Sequence, residues 1–224
     1  MKRYPRLAAV PFATVLAPYP HEGGVVELGP GADFECAHFE AVRFPQPRAA
    51  GAHFSECAFS DTTFDGGRLR GARFHDAWLG AVRLVGVDLA ECSFVDATID
   101  GSVLAGVPAF GSLLRRVVFQ RCKLDSVNFR TAKLADVIFE DCTIKDVDFA
   151  GASLQRVSFS GCTLTDVDFT KASLSKVDLR GAELISLSGL DALRGATIDT
   201  GQLLGLAPAL AAFLGINVQD ARTR

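Results

Sequence analysis

Large apolar side chains recur at every fifth residue from Phe34 to Leu184, and only Ala49 and Ala109 interrupt the series. An α-helix repeats every 3.6 residues and a strand every 2, so a period of five held over this length predicts a solenoid. A second column lies two residues before the first and is small: Ala72, Ala77, Val82, Val87, Cys92 and Ala97, then Val117, Cys122, Val127, Ala132, Val137, Cys142, Val147 and Ala152. The positions between carry most of the Asp, Arg, Lys, Ser and Thr, with Gly or Asp common two residues after the large one. These read as the outer surface.

The period loosens after residue 186 into a last turn holding Leu190, Leu193 and Ile198. From there Thr200 is placed to cap a helix running towards Gly215, with Leu203, Leu206, Leu210, Phe213 and Leu214 at helical spacing and Pro208 as a point of kinking. No charged residue occurs from Thr200 through Gln219, whereas a helix lying on a single surface keeps a polar side. Two readings follow. Either the helix only plugs the end of the solenoid, or its second apolar face meets a twin in a two-fold dimer.

The pentads Ala-Asp-Phe-Glu-Cys (32–36), Val-Asp-Phe-Ala-Gly (147–151) and Val-Asp-Leu-Arg-Gly (177–181) resemble the pentapeptide repeat family, over about two thirds of the chain. The resemblance implies an all-β solenoid: a right-handed quadrilateral parallel β-helix of about eight coils with a C-terminal capping α-helix. Each pentad would form one side, and twenty residues one coil. The chain then divides into a lead-in and cap (1–31), the β-helix (32–186), and the last turn, helix and tail (187–224).

That geometry makes checkable demands. Residues twenty apart should stack about 4.8 Å apart, giving a rod of roughly 37 Å. Phe119, Phe129, Phe139, Phe149, Phe159 and Phe169 alternate with Leu or Ile, which puts Phe on two opposite sides. Asp96, Arg116, Asp136 and Arg156 are each twenty apart and alternate in sign, as attracting neighbours would. The register they imply passes unbroken through the irregular stretch 105–113.

Composition narrows the function. Apolar residues make up 49% of the chain, yet no apolar run approaches a membrane span. Lys2 and Arg3 precede an apolar stretch from Leu7 to Ala17, but Pro11 and Thr14 interrupt it, and it reads as an irregular lead-in to the first coil. Cys57, Cys92, Cys122, Cys142 and Cys162 fall in the small column, interchangeable with Ala and Val, and read as packing. Stacked at strand spacing, Cys122, Cys142 and Cys162 are held wider than a disulfide prefers, so free thiols and a reducing cytoplasm are expected. His21, His38, His53 and His75 show no zinc-binding spacing, and the chain has neither a phosphate loop nor a nucleophile elbow. No metal, cofactor or catalytic residue is expected. A binding or structural protein is.

The resemblance also raises a partner. Fluoroquinolone-resistance members of the family are dimeric rods that imitate duplex DNA and occupy the DNA site of DNA gyrase or topoisomerase IV. This would make the chain an inhibitor or protector of a type II topoisomerase, conferring resistance to its poisons, without binding nucleic acid itself. Charge argues against it: duplex DNA presents about 22 negative charges over such a rod, and this chain has net charge −3. The most acidic side carries Glu40, Asp61, Asp100, Glu140 and Asp141, offset chiefly by Arg121. The same side is expected to point Trp78, Val118 and Ile138 outward, either as a protein-binding stripe or as scattered surface apolars. Finally, Pro45-Gln46-Pro47-Arg48-Ala49 and Val107-Pro108-Ala109-Phe110-Gly111 break the pattern. Proline supplies no amide to a ladder, so both stretches are expected to bulge or loop out, with Arg48 and Phe110 as candidate contacts or as tolerated irregularities. The leading expectation is a protein-interaction module, dimeric through its C-terminal helix.

Overall fold

The computed structural model describes residues 16–20 and 23–219, so nearly all of the lead-in stretch from Leu7, with Lys2 and Arg3, lies outside the described residues. From Asp33–Glu35 to Val167–Asp168 every strand pairs in parallel with the strand twenty residues later. Phe34 thus faces Phe54, Leu84 faces Leu104, and Phe139 faces Phe159. One side of the rod is a sheet of eight strands, one per coil, from Arg43–Pro45 to Glu183–Leu184. Two further sides join in a second sheet, because Ser93–Asp100, Leu113–Gln120, Lys133–Glu140 and Ser153–Ser160 each run across a corner. The fourth side is held mainly by single bridges, Arg48 to Arg68 to Asp88 and Pro108 to Asn128 to Asp148 to Asp168.

Both apolar columns point inward and form one continuous core. Phenylalanines stack along it: ring centroids are 4.7 Å apart for Phe119 and Phe139, 4.9 Å for Phe139 and Phe159, and 5.5 Å for Phe149 and Phe169. In the first coils Phe occupies consecutive sides, so Phe39, Phe44, Phe54, Phe59, Phe64 and Phe74 make one aromatic cluster.

From Phe34 to Leu179 the position two after each large residue turns the corner in the left-handed conformation. φ is 48° at Asp76, 55° at Asp96, 59° at Asp136 and 52° at Asp146. Gly avoids the Cβ clash there and Asp tolerates it, which explains the composition of that position. Arg116 makes a bidentate pair with Asp96, and Arg156 one with Asp136, its Nη2 to Oδ2 at 2.7 Å. The guanidinium beside Asp96 holds that carboxyl below its ordinary pKa.

The two proline-containing breaks do not loop out. Phe44 and Arg48 stay in register with Phe64 and Arg68, and Pro108 bridges Asn128. The reason lies in which bonds the ladder needs. The Pro47 carbonyl still accepts from Arg68 N, and the Pro108 carbonyl from Leu89 N. The amide missing at Pro108 removes one rung, the equivalent of Asn128 N to Val107 O in the next coil, and the neighbouring rungs hold the coil in place.

The five small-column cysteines are buried and free. Their thiols donate to backbone carbonyls: Cys92 to Leu69 O at 3.0 Å, Cys122 to Ile99 O at 3.2 Å. Thr62 and Ser102 make the same bonds with hydroxyls, so one inner corner reads Thr62, Val82, Ser102, Cys122, Cys142, Cys162, polar at all but Val82. Burial pushes the Cys57 thiol up to about 11 and the Cys92 thiol to about 12. In native protein maleimide should therefore modify Cys36 alone, the one exposed thiol, and all six after denaturation; intact mass spectrometry counts the adducts. A second rapid native adduct would show that the core opens.

After Leu187–Ser188 a 3-10 turn, Leu190–Leu193, replaces a full side and shortens the last coil by one residue, so Val177 pairs with Ala196. Helix α1, Thr200–Phe213, follows. Its N-cap is Asp199 rather than Thr200, with Asp199 Oδ1 accepting from Gln202 N and Gln202 Oε1 accepting from Asp199 N, both at 2.9 Å. The carboxylate reaches N3 and closes a reciprocal capping box, which puts Thr200 inside the helix.

Candidate interaction surfaces

The side with the acidic excess carries an in-register outer column: Ala58, Trp78, Thr98, Val118, Ile138, Ser158. Trp78 does not project. Its indole lies along its own strand over Gly80, where a Cβ would fall 1.9 Å from the ring. Its Nε1 is buried with no hydrogen-bond partner among the described residues. Val118, expected to stand out, is only 5% exposed, because Thr98 and Ile138 flank it one coil away on either side. Ile138 is half-buried. The stripe is a flat pavement in which Trp78 and Ile138 offer partial faces.

Of the carboxylates on this side Glu40, Asp61 and Asp141 are exposed, but Asp100 and Glu140 interrupt the negative stripe. Both oxygens of Asp100 are held by Arg121 at 2.6 Å, and Asp141 leans over the corner at Gly161, its Oδ1 occupying the space a Cβ would need. Glu140 is half-buried and engaged.

Phe110 is also committed. Arg70 reaches across the buried Ala90 to place its guanidinium 5.4 Å from the Phe110 ring, while its Nη2 contacts Glu91 at 2.6 Å. Arg48, in contrast, is exposed.

Helix α1 is the most apolar exposed element. Only Leu206 is buried and Leu210 partly so, whereas Leu204 is 70% exposed, Leu214 66% and Phe213 57%. Leu203 is half-exposed, and Ile216 and Val218 extend the apolar surface past the helix end. Leu204, Ala207, Pro208, Ala211, Ala212, Ile216 and Val218 line a shallow groove along it. A residue the hydrophobic pattern passed over ties this helix to the rod. Gln202 Nε2 donates to Leu179 O at 2.6 Å and Ala182 O at 2.7 Å, satisfying carbonyls of the last coil. Its only sequence signal was the Asp-x-x-Gln spacing of a capping box.

Among the described residues no group of three or more His, Cys, Asp or Glu is arranged to hold a metal, and no helix is long and apolar enough to cross a membrane.

These features define a parallel β-solenoid built from five-residue sides and closed at one end by an apolar helix. The chain belongs to the pentapeptide repeat family: a pentapeptide repeat region matches residues 112–188, and pentapeptide repeats match residues 39–83 and 68–106. No curated protein matches it. Among solved structures, full-length QnrB1, a plasmid-mediated fluoroquinolone resistance protein, is 20% identical over 89% of this chain and 100% of its own, with a TM-score of 0.48. HetL, a pentapeptide repeat protein involved in heterocyst differentiation regulation in Nostoc sp. strain PCC 7120, is 22% identical over 79% of this chain and 88% of its own, with a TM-score of 0.34.

Proposed function

We propose that this chain is a non-enzymatic protein-interaction rod, working in a reducing compartment as a homodimer joined through helix α1. The observation that carries the reading is the uncharged surface of that helix, with Leu203, Leu204, Phe213, Leu214, Ile216 and Val218 all exposed. An apolar surface of this kind in water is a cost to a lone chain and a driving force for association. A second copy is the occupant with matching chemistry, since a two-fold axis sets the same apolar patch against itself.

Sedimentation equilibrium tests the assembly. The wild-type chain should sediment at twice its 23.8 kDa, and Leu204→Glu/Phe213→Glu at the single-chain mass with the β-helix circular dichroism unchanged. A monomeric wild type at micromolar concentration would overturn the dimer. The topoisomerase reading is disfavoured by the Asp100–Arg121 pair and the low net charge. Protection of gyrase from a fluoroquinolone that Glu140→Lys/Asp141→Lys abolishes would restore it.

A further inference from the structure

On the fourth side, four coils carry Asp or Asn just before the large inward residue, and its oxygen accepts from the backbone N–H two residues on. Asp88 takes Ala90 N at 3.0 Å, Asn128 takes Arg130 N at 3.0 Å, Asp148 takes Ala150 N at 2.7 Å, and Asp168 takes Thr170 N at 2.7 Å. Arginine replaces the acid in two adjacent coils. Arg48 and Arg68 face each other across a parallel bridge, about 4.8 Å apart at the backbone. The N–H groups of Ala50 and Arg70 consequently have no acceptor among the described residues.

Neither guanidinium forms an ion pair among the described residues, although Arg70, Arg121, Arg130 and Arg180 all do. Two like charges stacked one coil apart repel each other. The acids nearby do not relieve them: Asp88, beyond Arg68, is turned into its own coil, and Glu27 lines a neighbouring depression without pairing with Arg48. Beside the pair lies a surface groove of about 580 Å³ walled by Pro30, Gln46, Pro47, Ala50 and Gly67. Gly67, at φ 87°, is what lets Pro47 into that wall, since a Cβ there would sit 2.4 Å from the proline ring.

We propose that Arg48 and Arg68, with the Ala50 and Arg70 amides, form a docking site for carboxylates of an acidic peptide segment of a partner protein. In four other coils the chain's own Asp or Asn oxygen holds the equivalent amide, so the position already binds a carboxylate wherever the sequence supplies one. Here it supplies two cations instead, and an outside carboxylate meets an amide donor and a guanidinium together. The proline and alanine walls suit a peptide's backbone and aliphatic atoms. The site lies outside helix α1, so it is expected to work equally in the Leu204→Glu/Phe213→Glu chain, and its failure is separable from failure of the dimer.

The test is an amide NMR titration of the full chain at low ionic strength with an acetylated, amidated Asp-Glu-Asp-Glu peptide. Its Asn-Gln-Asn-Gln counterpart and inorganic phosphate form the other arms. Saturable shifts of the Ala50 and Arg70 amides with the acidic peptide alone are expected. They should weaken by about tenfold or more in Arg48→Gln/Arg68→Gln, and vanish in Arg48→Asn/Arg68→Asn, whose side chains supply the internal acceptors. No saturable shift, or equal shifts in the Gln variant, would overturn the site. Shifts with phosphate but not with the peptide would overturn the peptide assignment.

Discussion

Replacing Phe59 by Ala should destabilise the rod by about 3–5 kcal/mol, the upper range for a buried ring, read as a drop in the chemical-denaturation midpoint at unchanged slope. Phe59 is fully buried, with ring centroids 4.9 Å from Phe39, 5.4 Å from Phe54, 5.9 Å from Phe64 and 6.2 Å from Phe74. The cost of such a change depends on whether neighbours collapse into the space. In a solenoid they are prevented, because each ring is tied to a strand whose spacing the backbone ladder sets. Phe129→Ala serves as the comparison. Its stacked ring neighbour is Phe149 at 5.4 Å, and the position one coil before it is Ala109, so less contact is lost and the expected cost is smaller. Equal midpoints for the two variants would refute the view that the first coils are pinned by an aromatic cluster.

Gln202→Glu should detach helix α1 from the rod while leaving the helix itself intact. The substitution keeps an acceptor at N3, so the reciprocal cap with Asp199 survives. It removes both N–H donors, leaves the Ala182 carbonyl without its partner and the Leu179 carbonyl with only the Ala182 N–H, and sets a carboxylate against both. The Ala182 carbonyl left unpaired near the buried end of the coil costs about 1–3 kcal/mol. Hydrogen exchange gives the readout: amides of Thr200–Phe213 and of the last coil should lose protection, whereas those of Leu113–Gln120 should not change. Asp199→Ala provides the contrast, since it weakens the helix start by about 0.5–2 kcal/mol with the Gln202 donors still present. Unchanged protection in Gln202→Glu would mean that Leu206 and Leu210 alone seat the helix, and that the exposed apolar face is held in place without this amide.

Much of this architecture was legible one residue at a time. The five-residue period marked both inward columns, and the twenty-residue spacing of Asp96, Arg116, Asp136 and Arg156 marked the coil and the pairs that Asp96 and Asp136 make with the following arginines. Gly and Asp two residues past the large position marked the corners, although their reason is the left-handed backbone rather than exposure to water. The inner corner of Ser102, Cys122, Cys142 and Cys162 carried the same twenty-residue signal in its hydroxyl and thiols, with Thr62 beyond Val82, and it becomes visible once carbonyl acceptors are placed opposite.

The sequence by itself determined the coil, its register and its core, because a strictly repeated local pattern has one compact way to bury its apolar columns. The tertiary structure decided what the surface offers. Trp78 lies flat because residue 80 is Gly, Val118 is covered by residues one coil away, and the Pro45–Ala49 and Val107–Gly111 breaks stay flush because neighbouring rungs carry the ladder past each proline. Arg48 and Arg68, without an ion pair among the described residues, and the two carbonyls held by Gln202 depend on which donors and acceptors arrive from twenty or more residues away. Exposure and pairing are properties of neighbours in space, and a one-dimensional period records which face a side chain takes without recording what stands beside it.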